Sequence, residues 1–339
     1  MVDDFAVSLV EEIQLVDRDE GALCGRAPGA DGGTPFAETA GRAVSRLARR
    51  RRRARKLALE RGLTITAAGI HPVGHVRDPG PHTIVEDLRG TTGAGTTDLF
   101  DMRIRIAMPS REMAVRAMCG SAPYLPPLLA LAGSSPFHLG EDTGYASFRT
   151  VRRDVFPRVG PPLPVATASE FDHLERLFTV PDAQRDRPLA WDVQPVWGAT
   201  TLEFRLFDAN PRLDVVAFLT ASARALATLF ADRPPALPSG LEIQVLRENR
   251  WRAARYGLDA RFLRPDARPA TWTATAALTA LAERLDPVAD RLGDGEVMRS
   301  LPALLLAGTA AGAMRDVYCQ SRSVRAVVDW LIRETGRDA

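Results

Sequence analysis

Glu203 and Arg205 stand two apart inside an otherwise apolar run, Thr201-Leu-Glu-Phe-Arg-Leu-Phe-Asp208. Side chains two apart on a strand share a face, so Leu202, Phe204 and Leu206 can meet a core while Glu203 and Arg205 open onto a polar space. A carboxylate and a guanidinium set into such a strand are tolerated when they pair, ligate a metal or hold a substrate. The first outcome is a structural salt bridge and the other two are chemistry. This segment alone leaves them open.

The same pattern recurs elsewhere. Leu99 to Ala107 alternates, with Met102, Ile104 and Ile106 opposed to Asp101, Arg103 and Arg105. Phe5 to Asp17 alternates as well and predicts one strand with a polar face that includes Glu12. Leu63 to Ile70 is strand-like and ends at His71-Pro72. Ala22 to Pro35 predicts a loop, and Val73 to Thr97, full of Gly, Pro and Thr, predicts a long loop of the kind that carries function. Helical periodicity covers Phe36 to Arg61, Pro109 to Leu131, Ala168 to Phe178, Leu213 to Ala231, Glu242 to Tyr256, Ala270 to Leu292 and Ser323 to Thr335. Strands that dominate early and helices that dominate late predict an α+β fold, taken as one domain over residues 1–339.

Composition narrows the function classes. The 339 residues are 45% hydrophobic and 25% charged with a net charge of +2, so nothing demands nucleic acid or an anionic membrane. The uninterrupted Arg49 to Arg53 lacks interleaved aromatics and predicts a solvated helix face. Lys56 is the sole lysine, and no glycine-rich loop ends in Lys-Ser/Thr, which removes P-loop chemistry. Cys24, Cys119 and Cys319 are few, odd in number and far apart, which fits a reducing cytoplasm and no disulfide framework. No basic-then-apolar leader opens the sequence, and the apolar runs around Tyr124 to Ala132 and Leu301 to Met314 are short for a membrane span.

Several separated segments, taken in order, resemble one family. They are Glu11-Glu12-Ile-Gln-Leu-Val-Asp17, Ala67-Ala-Gly-Ile-His71-Pro72, Ser135-Pro-Phe and Asp142-Thr-Gly-Tyr-Ala-Ser-Phe-Arg149. Trp191-Asp192-Val193, Thr201 to Ala209, Trp251-Arg-Ala-Ala-Arg255-Tyr-Gly257 and Arg325-Ala-Val-Val-Asp-Trp330 follow. The set is similar to the carboxylate-amine ligases of the type 2 glutamate-cysteine ligase group. That resemblance implies a mainly antiparallel curved sheet, a glutamine synthetase-like funnel, flanked by helices. It implies ATP and Mg²⁺ used to phosphorylate a glutamate-like carboxylate, which an amine then converts to an amide. Small-molecule acid and amine partners, a cytoplasmic setting and compatibility with a homodimer go with it.

Residue by residue, the resemblance implies catalytic roles for Glu12, Glu203 and Arg205, with Glu12 and Glu203 as metal ligands. It places Arg252, Arg255 and Arg315 near the nucleotide, and His71, Arg103, Arg105 and Arg149 near the substrates. Departures accompany it. The family's first strand aims two glutamates into the funnel where this chain has Val10 and Glu12, and its paired histidines are replaced by Arg103 and Arg105. Gln194 stands for an arginine and Met314 for a glutamine. The expected inward charge is therefore two carboxylates against the three guanidiniums of Arg103, Arg105 and Arg205, which removes expected ligands for Mg²⁺. Two readings follow: a divergent ATP-dependent ligase, or a catalytically degenerate member that binds a partner through the old funnel.

Overall fold

The computed structural model describes residues 4–27, 33–74, 98–178, 189–234, 237–264 and 270–337. Its centre is a four-stranded antiparallel sheet of β1 (Val7–Glu11), β5 (Asp101–Ala107), β7 (Thr201–Asp208) and β6 (Val193–Pro195), in the order β1-β5-β7-β6. Leu9 pairs with Ile104, Ile104 with Phe204 and Phe204 with Val193, so one apolar row crosses all four strands. One residue to the side, Ser8 pairs with Arg105, Arg105 with Glu203 and Glu203 with Gln194. Because cross-strand partners share a face, the two rows point to opposite sides.

The apolar side is covered by helices. Val7, Leu9, Met102, Ile104, Ile106, Leu202 and Phe204 join one core with α2 (Arg111–Ser121), α3 (Leu125–Ala132) and α6 (Leu213–Ala231). Between them in the chain run α4 (Phe148–Arg153) and α5 (Ala168–Phe178), and α7 (Gly240–Tyr256) and α8 (Ala274–Arg291) follow. Helix α6 is long and apolar enough to cross a bilayer, which the sequence reading did not single out, but most of it is buried inside the fold. It is the central core helix. The C-terminal helices α9 (Gly295–Met298), α10 (Leu301–Ala307), α11 (Ala310–Ser321) and α12 (Val324–Gly336) complete the order.

Alternation misjudged the first strand. Phe5 to Asp17 is two strands, not one: the Glu12 N–H donates to the Asp101 carbonyl at 3.0 Å, and the chain then leaves for a second antiparallel sheet. There β2 (Gln14–Asp17) lies between β3 (Leu23–Arg26) and β4 (Leu63–Thr66), so the predicted Ala22 to Pro35 loop contains a strand. Pro109 to Leu131 splits into α2 and α3 at a 3-10 turn, Ala122–Tyr124, where Pro123 cannot continue the helical ladder. The Ala270 end of the predicted late helix is instead a strand, Thr271–Thr273, and Thr273 caps α8 through the Ala276 N–H. Residues 75–97 of the predicted long loop lie outside the described residues.

Helix α1 (Ala40–Leu59) corrects the reading of the arginine run. Thr39 caps it, and its buried stripe includes Ala43, Leu47, Arg51 and Ala58. Arg51 is completely buried and forms a two-pronged pair with Glu11, its Nε donating at 2.9 Å, while its other nitrogens reach the carbonyls of Asn210 and Pro211. The exposed Arg49, Arg52 and Arg53 fit the solvated-face expectation.

Candidate functional site on the polar face of the sheet

The polar row becomes a charged cluster. Arg105 Nε donates to Glu203 Oε2 at 2.6 Å, and Arg205 Nε lies 3.4 Å from Glu203 Oε1. Glu203 keeps only 5% of its side chain exposed, whereas Arg105 keeps 29% and Arg205 21%, so the cations, not the carboxylate, meet the open space. Strand β7 carries a bulge between Phe204 and Phe207. That extra residue re-aims Arg205 and returns Phe207 to the core opposite Met102.

A second group surrounds Glu12. Its Oε1 lies 2.6 Å from Arg26 Nη1 and accepts from Arg103 Nη2 at 3.1 Å, and its Oε2 accepts the Asp101 N–H at 3.1 Å. Arg103 Nε also donates to Asp101 at 2.9 Å. Burial and the neighbouring Asp101 carboxylate push the Glu12 carboxyl upward despite Arg26 and Arg103. Burial would also raise Asp101, but Arg103, Arg149 and Arg205 outweigh it and hold Asp101 below the usual carboxylate range. Burial works against the Arg103 cation, and Asp101, Glu12 and Glu203 overcome it and raise its pKa.

Beneath these groups lies a deeper layer. Arg149 is fully buried, donating Nε to Asp208 Oδ1 at 2.7 Å and Nη2 to the Leu206 carbonyl. Asp208 also accepts the Ser134 N–H at 3.0 Å and the hydroxyls of Ser135 at 2.7 Å and Ser147 at 2.8 Å. Gly69 passes so close to this carboxylate that a Cβ there would meet it. Asp208 thereby ties Arg149, expected beside substrate, and the Ser135 and Ser147 segments to β7. Arg153, beside Arg149, donates to the carbonyls of Arg205 at 2.8 Å and Ala190 at 3.0 Å. Burial, with Arg149 and Arg205 close by, pushes Arg153 down to about 9. Arg250 grips Asp192 with two hydrogen bonds at 2.6 and 3.0 Å and reaches Asp154 at 2.6 Å.

Three further predicted residues sit apart from the polar row. Arg315 makes a bidentate pair with Asp142, both bonds 2.9 Å, and Arg255 donates to the Thr143 carbonyl at 3.2 Å while its guanidinium lies over the Tyr145 ring at 4.6 Å. Gly144, at φ +73°, leaves room for Arg255 that a Cβ would fill. Burial would raise Asp142, but the Arg315 hydrogen bonds and the Gly144 N–H outweigh it and lower its pKa. Arg252 does not join them: it pairs with Glu248 one turn away on α7 at 2.7 Å and donates to the Arg261 carbonyl. His71 is buried, and its Nδ1 accepts the N–H groups of Val73 and Gly74 at 3.3 and 3.2 Å. Through Nδ1, His71, expected beside substrate, caps that turn.

A family model described as glutamate-cysteine ligase family 2 matches residues 32–329. The chain belongs to this family. A Herpetosiphon aurantiacus protein provisionally named glutamate-cysteine ligase 2 is 29% identical over 98% of this chain and 88% of its own length. One of the same provisional name from Roseiflexus sp. strain RS-1 is 33% identical over 82% of this chain and 75% of that one. Among solved structures, a Francisella tularensis glutamate-cysteine ligase in complex with AMP superposes with a TM-score of 0.61 over 100% of this chain and 94% of that chain, at 10% identity. A bifunctional glutathione synthetase from Pasteurella multocida gives 0.62 over 98% of this chain and 51% of that chain, at 13% identity. At these identities the likeness is one of fold, and the α+β, antiparallel-sheet architecture of this family member agrees with it.

Whether the floor of the sheet fits Mg²⁺ is decided by its donors. Magnesium takes a near-octahedral shell of oxygens. Glu12 and Glu203 are each engaged by guanidiniums, and among the described residues no three His, Cys, Asp or Glu side chains converge as a metal cluster. Among the described residues, Glu12 and Glu203, the expected metal ligands, are engaged by arginines and do not fit an Mg²⁺ cage as they stand. Gln194, where an arginine was expected, accepts the Trp191 N–H and donates to the Leu189 carbonyl. Met314 is buried against Ala68 and Phe137. Sequence reasoning missed Arg26, Arg153, Arg250 and Asp208. Asp208 alone carried a signal, as the polar residue closing the Thr201–Asp208 strand.

Proposed function

We propose that this family member is an ATP-dependent carboxylate-amine ligase in which arginines on the floor of the sheet receive the anionic groups of nucleotide and acid. One observation carries the reading. The open side of the sheet presents four guanidiniums, from Arg26, Arg103, Arg105 and Arg205, against three carboxylates, from Glu12, Asp101 and Glu203. Arg153 adds a buried cation behind them.

Phosphorylating a carboxylate requires charge to be neutralised on the transferring phosphoryl group and on the acid, and guanidiniums do this through short, charge-assisted hydrogen bonds. Arg105 and Arg205 support this reading, since each lies in an ion pair with Glu203 and keeps part of its side chain exposed. The acid's carboxylate oxygen takes the terminal phosphoryl group and ADP leaves; an amine then attacks the acyl carbon, the C–O bond to phosphate breaks, phosphate leaves with its electron pair and the nitrogen gives up a proton to water as the amide forms. Family membership and the fold shared with an AMP-bound ligase support ATP as the phosphoryl donor. A cytoplasmic setting and small-molecule acid and amine substrates belong to the same proposal. The test is release of ADP and phosphate that depends on both an acid and an amine.

A second reading, a member that binds through this face without catalysis, is favoured by the closure of both Glu12 and Glu203 by arginines. It expects Glu203→Gln to leave biological function intact while substitutions of Arg103 or Arg105 remove it. Loss of function in a folded Glu203→Gln variant counts against it.

A further inference from the structure

On the helical side of the molecule, a cavity of about 640 Å³ opens between the end of α2, the start of α3, the end of α6 and α7. It shares no residue with the charged floor of the sheet. Its size falls inside the ~300–1,000 Å³ range of small-molecule sites. Tyr124, Phe230, Phe262, Leu246 and Trp272 supply an apolar wall, with prolines filling the gaps. Leu237, on its rim, is 58% exposed, which leaves apolar surface in water.

The polar groups of this cavity divide into two kinds. Glu242 is consumed by a capping box with Ser239, and Asn249 exchanges two hydrogen bonds with the Leu263 backbone. Arg233, Arg247 and Arg264 make no ion pair with a carboxylate among the described residues. Arg264 is stacked on Trp272 with its guanidinium 4.5 Å from the ring centroid, and Arg233 lies 5.6 Å from the Phe230 centroid. Stacking orders a guanidinium and leaves its in-plane N–H groups available to an anion. An aromatic-walled cavity rimmed by three arginines with no carboxylate partner among the described residues fits one class of occupant: an organic acid with a bulky apolar body and a single carboxylate.

We propose that this cavity is a second binding site, for an aromatic or comparably bulky apolar carboxylic acid, separate from the charged face of the sheet. The ring lies among Phe230, Leu246 and Trp272, and the carboxylate meets Arg264 and Arg233. The proposal goes beyond the ligase reading and stands if that reading fails, because its test uses no nucleotide and no turnover.

The full chain is titrated calorimetrically with 2-naphthoate and, as its uncharged counterpart, 2-naphthol. One saturable site is expected for 2-naphthoate. The Arg233→Ala/Arg264→Ala double variant, exposed at Arg233 and half-buried at Arg264, should weaken it by about tenfold or more while changing 2-naphthol by less than about twofold. Leu246→Glu should remove both, with circular dichroism confirming its fold. Absence of saturable binding, or 2-naphthoate affinity indifferent to the arginine variants, overturns the proposal. Self-association of the wild type that Leu246→Glu abolishes also overturns it, by assigning the cavity to a second copy of the chain.

Discussion

Arg105 sits directly opposite Glu203 in the antiparallel register of β5 and β7 and donates its Nε–H to the carboxylate at 2.6 Å. The contact explains how a carboxylate that is only 5% exposed stays in an apolar strand, and it leaves the rest of the Arg105 guanidinium facing outward. Removing Arg105 strips Glu203 of its best partner and leaves the 3.4 Å contact with Arg205 and the nearby charge of Arg103. Arg105→Met is expected to cost about 1–3 kcal/mol, the range for a buried polar group that loses its partner. Arg105→Met/Glu203→Met should recover most of that, and a double-mutant cycle by urea unfolding measures the coupling.

Arg51 separates one position of the basic run from its neighbours. Arg51→Met leaves the Glu11 carboxyl without its partner in a fully buried site, a change expected to cost about 3–5 kcal/mol. Exposed Arg53→Ala should stay within about 0.5 kcal/mol of wild type. Equal losses at both positions, in the same denaturation series, would contradict the buried Arg51 pair.

Asp142 and Arg315 form an acid-sensitive tie between α11 and the segment leading to α4. The folded Asp142 pKa lies below its ordinary value, so the folded state holds fewer protons there than the unfolded chain. Its stabilising contribution is therefore full above the ordinary aspartate range and lost as pH falls through the depressed value. Amide protection factors at residues 143–147, which are corrected for the intrinsic pH dependence of exchange, should fall on acidification in that window, and Asp142→Asn should flatten the response.

Glu12 behaves in the opposite sense. Its raised pKa means that the folded state favours the protonated form, so its contribution is largest below the ordinary glutamate range and declines as pH rises through the raised value. Replacing it with Gln should remove this slope from a stability profile measured between pH 4 and pH 7, a span of ~3 units around and above the reference carboxylate value. A profile identical to wild type would contradict the raised pKa.

The sequence exposed the parts of this molecule that repeat over two residues. Alternation in Asp101–Ala107 and Thr201–Asp208 revealed both the apolar row and the charged row, because a strand's period is fixed by its backbone. What stayed hidden depends on distant partners. Burial of Arg51 is set by Glu11, forty positions away, and the split after β1 by a hydrogen bond from Glu12 to Asp101. Arg250 looked no different from Arg252 on the same helix, yet only Arg250 faces Asp192. The Ser135 and Asp142–Arg149 motifs were legible as a resemblance, while their convergence on Asp208 and Arg315 was not.

ATP titrated calorimetrically into the protein, once in EDTA and once in Mg²⁺, tests most directly whether arginines on the floor of the sheet receive the nucleotide's anionic groups. The account predicts saturable binding in EDTA within about threefold of that in Mg²⁺, weakened by about tenfold or more, ~1.4 kcal/mol, in Arg105→Ala/Arg205→Ala. Binding that vanishes in EDTA and is untouched by the double substitution, or no binding in either buffer, would contradict it.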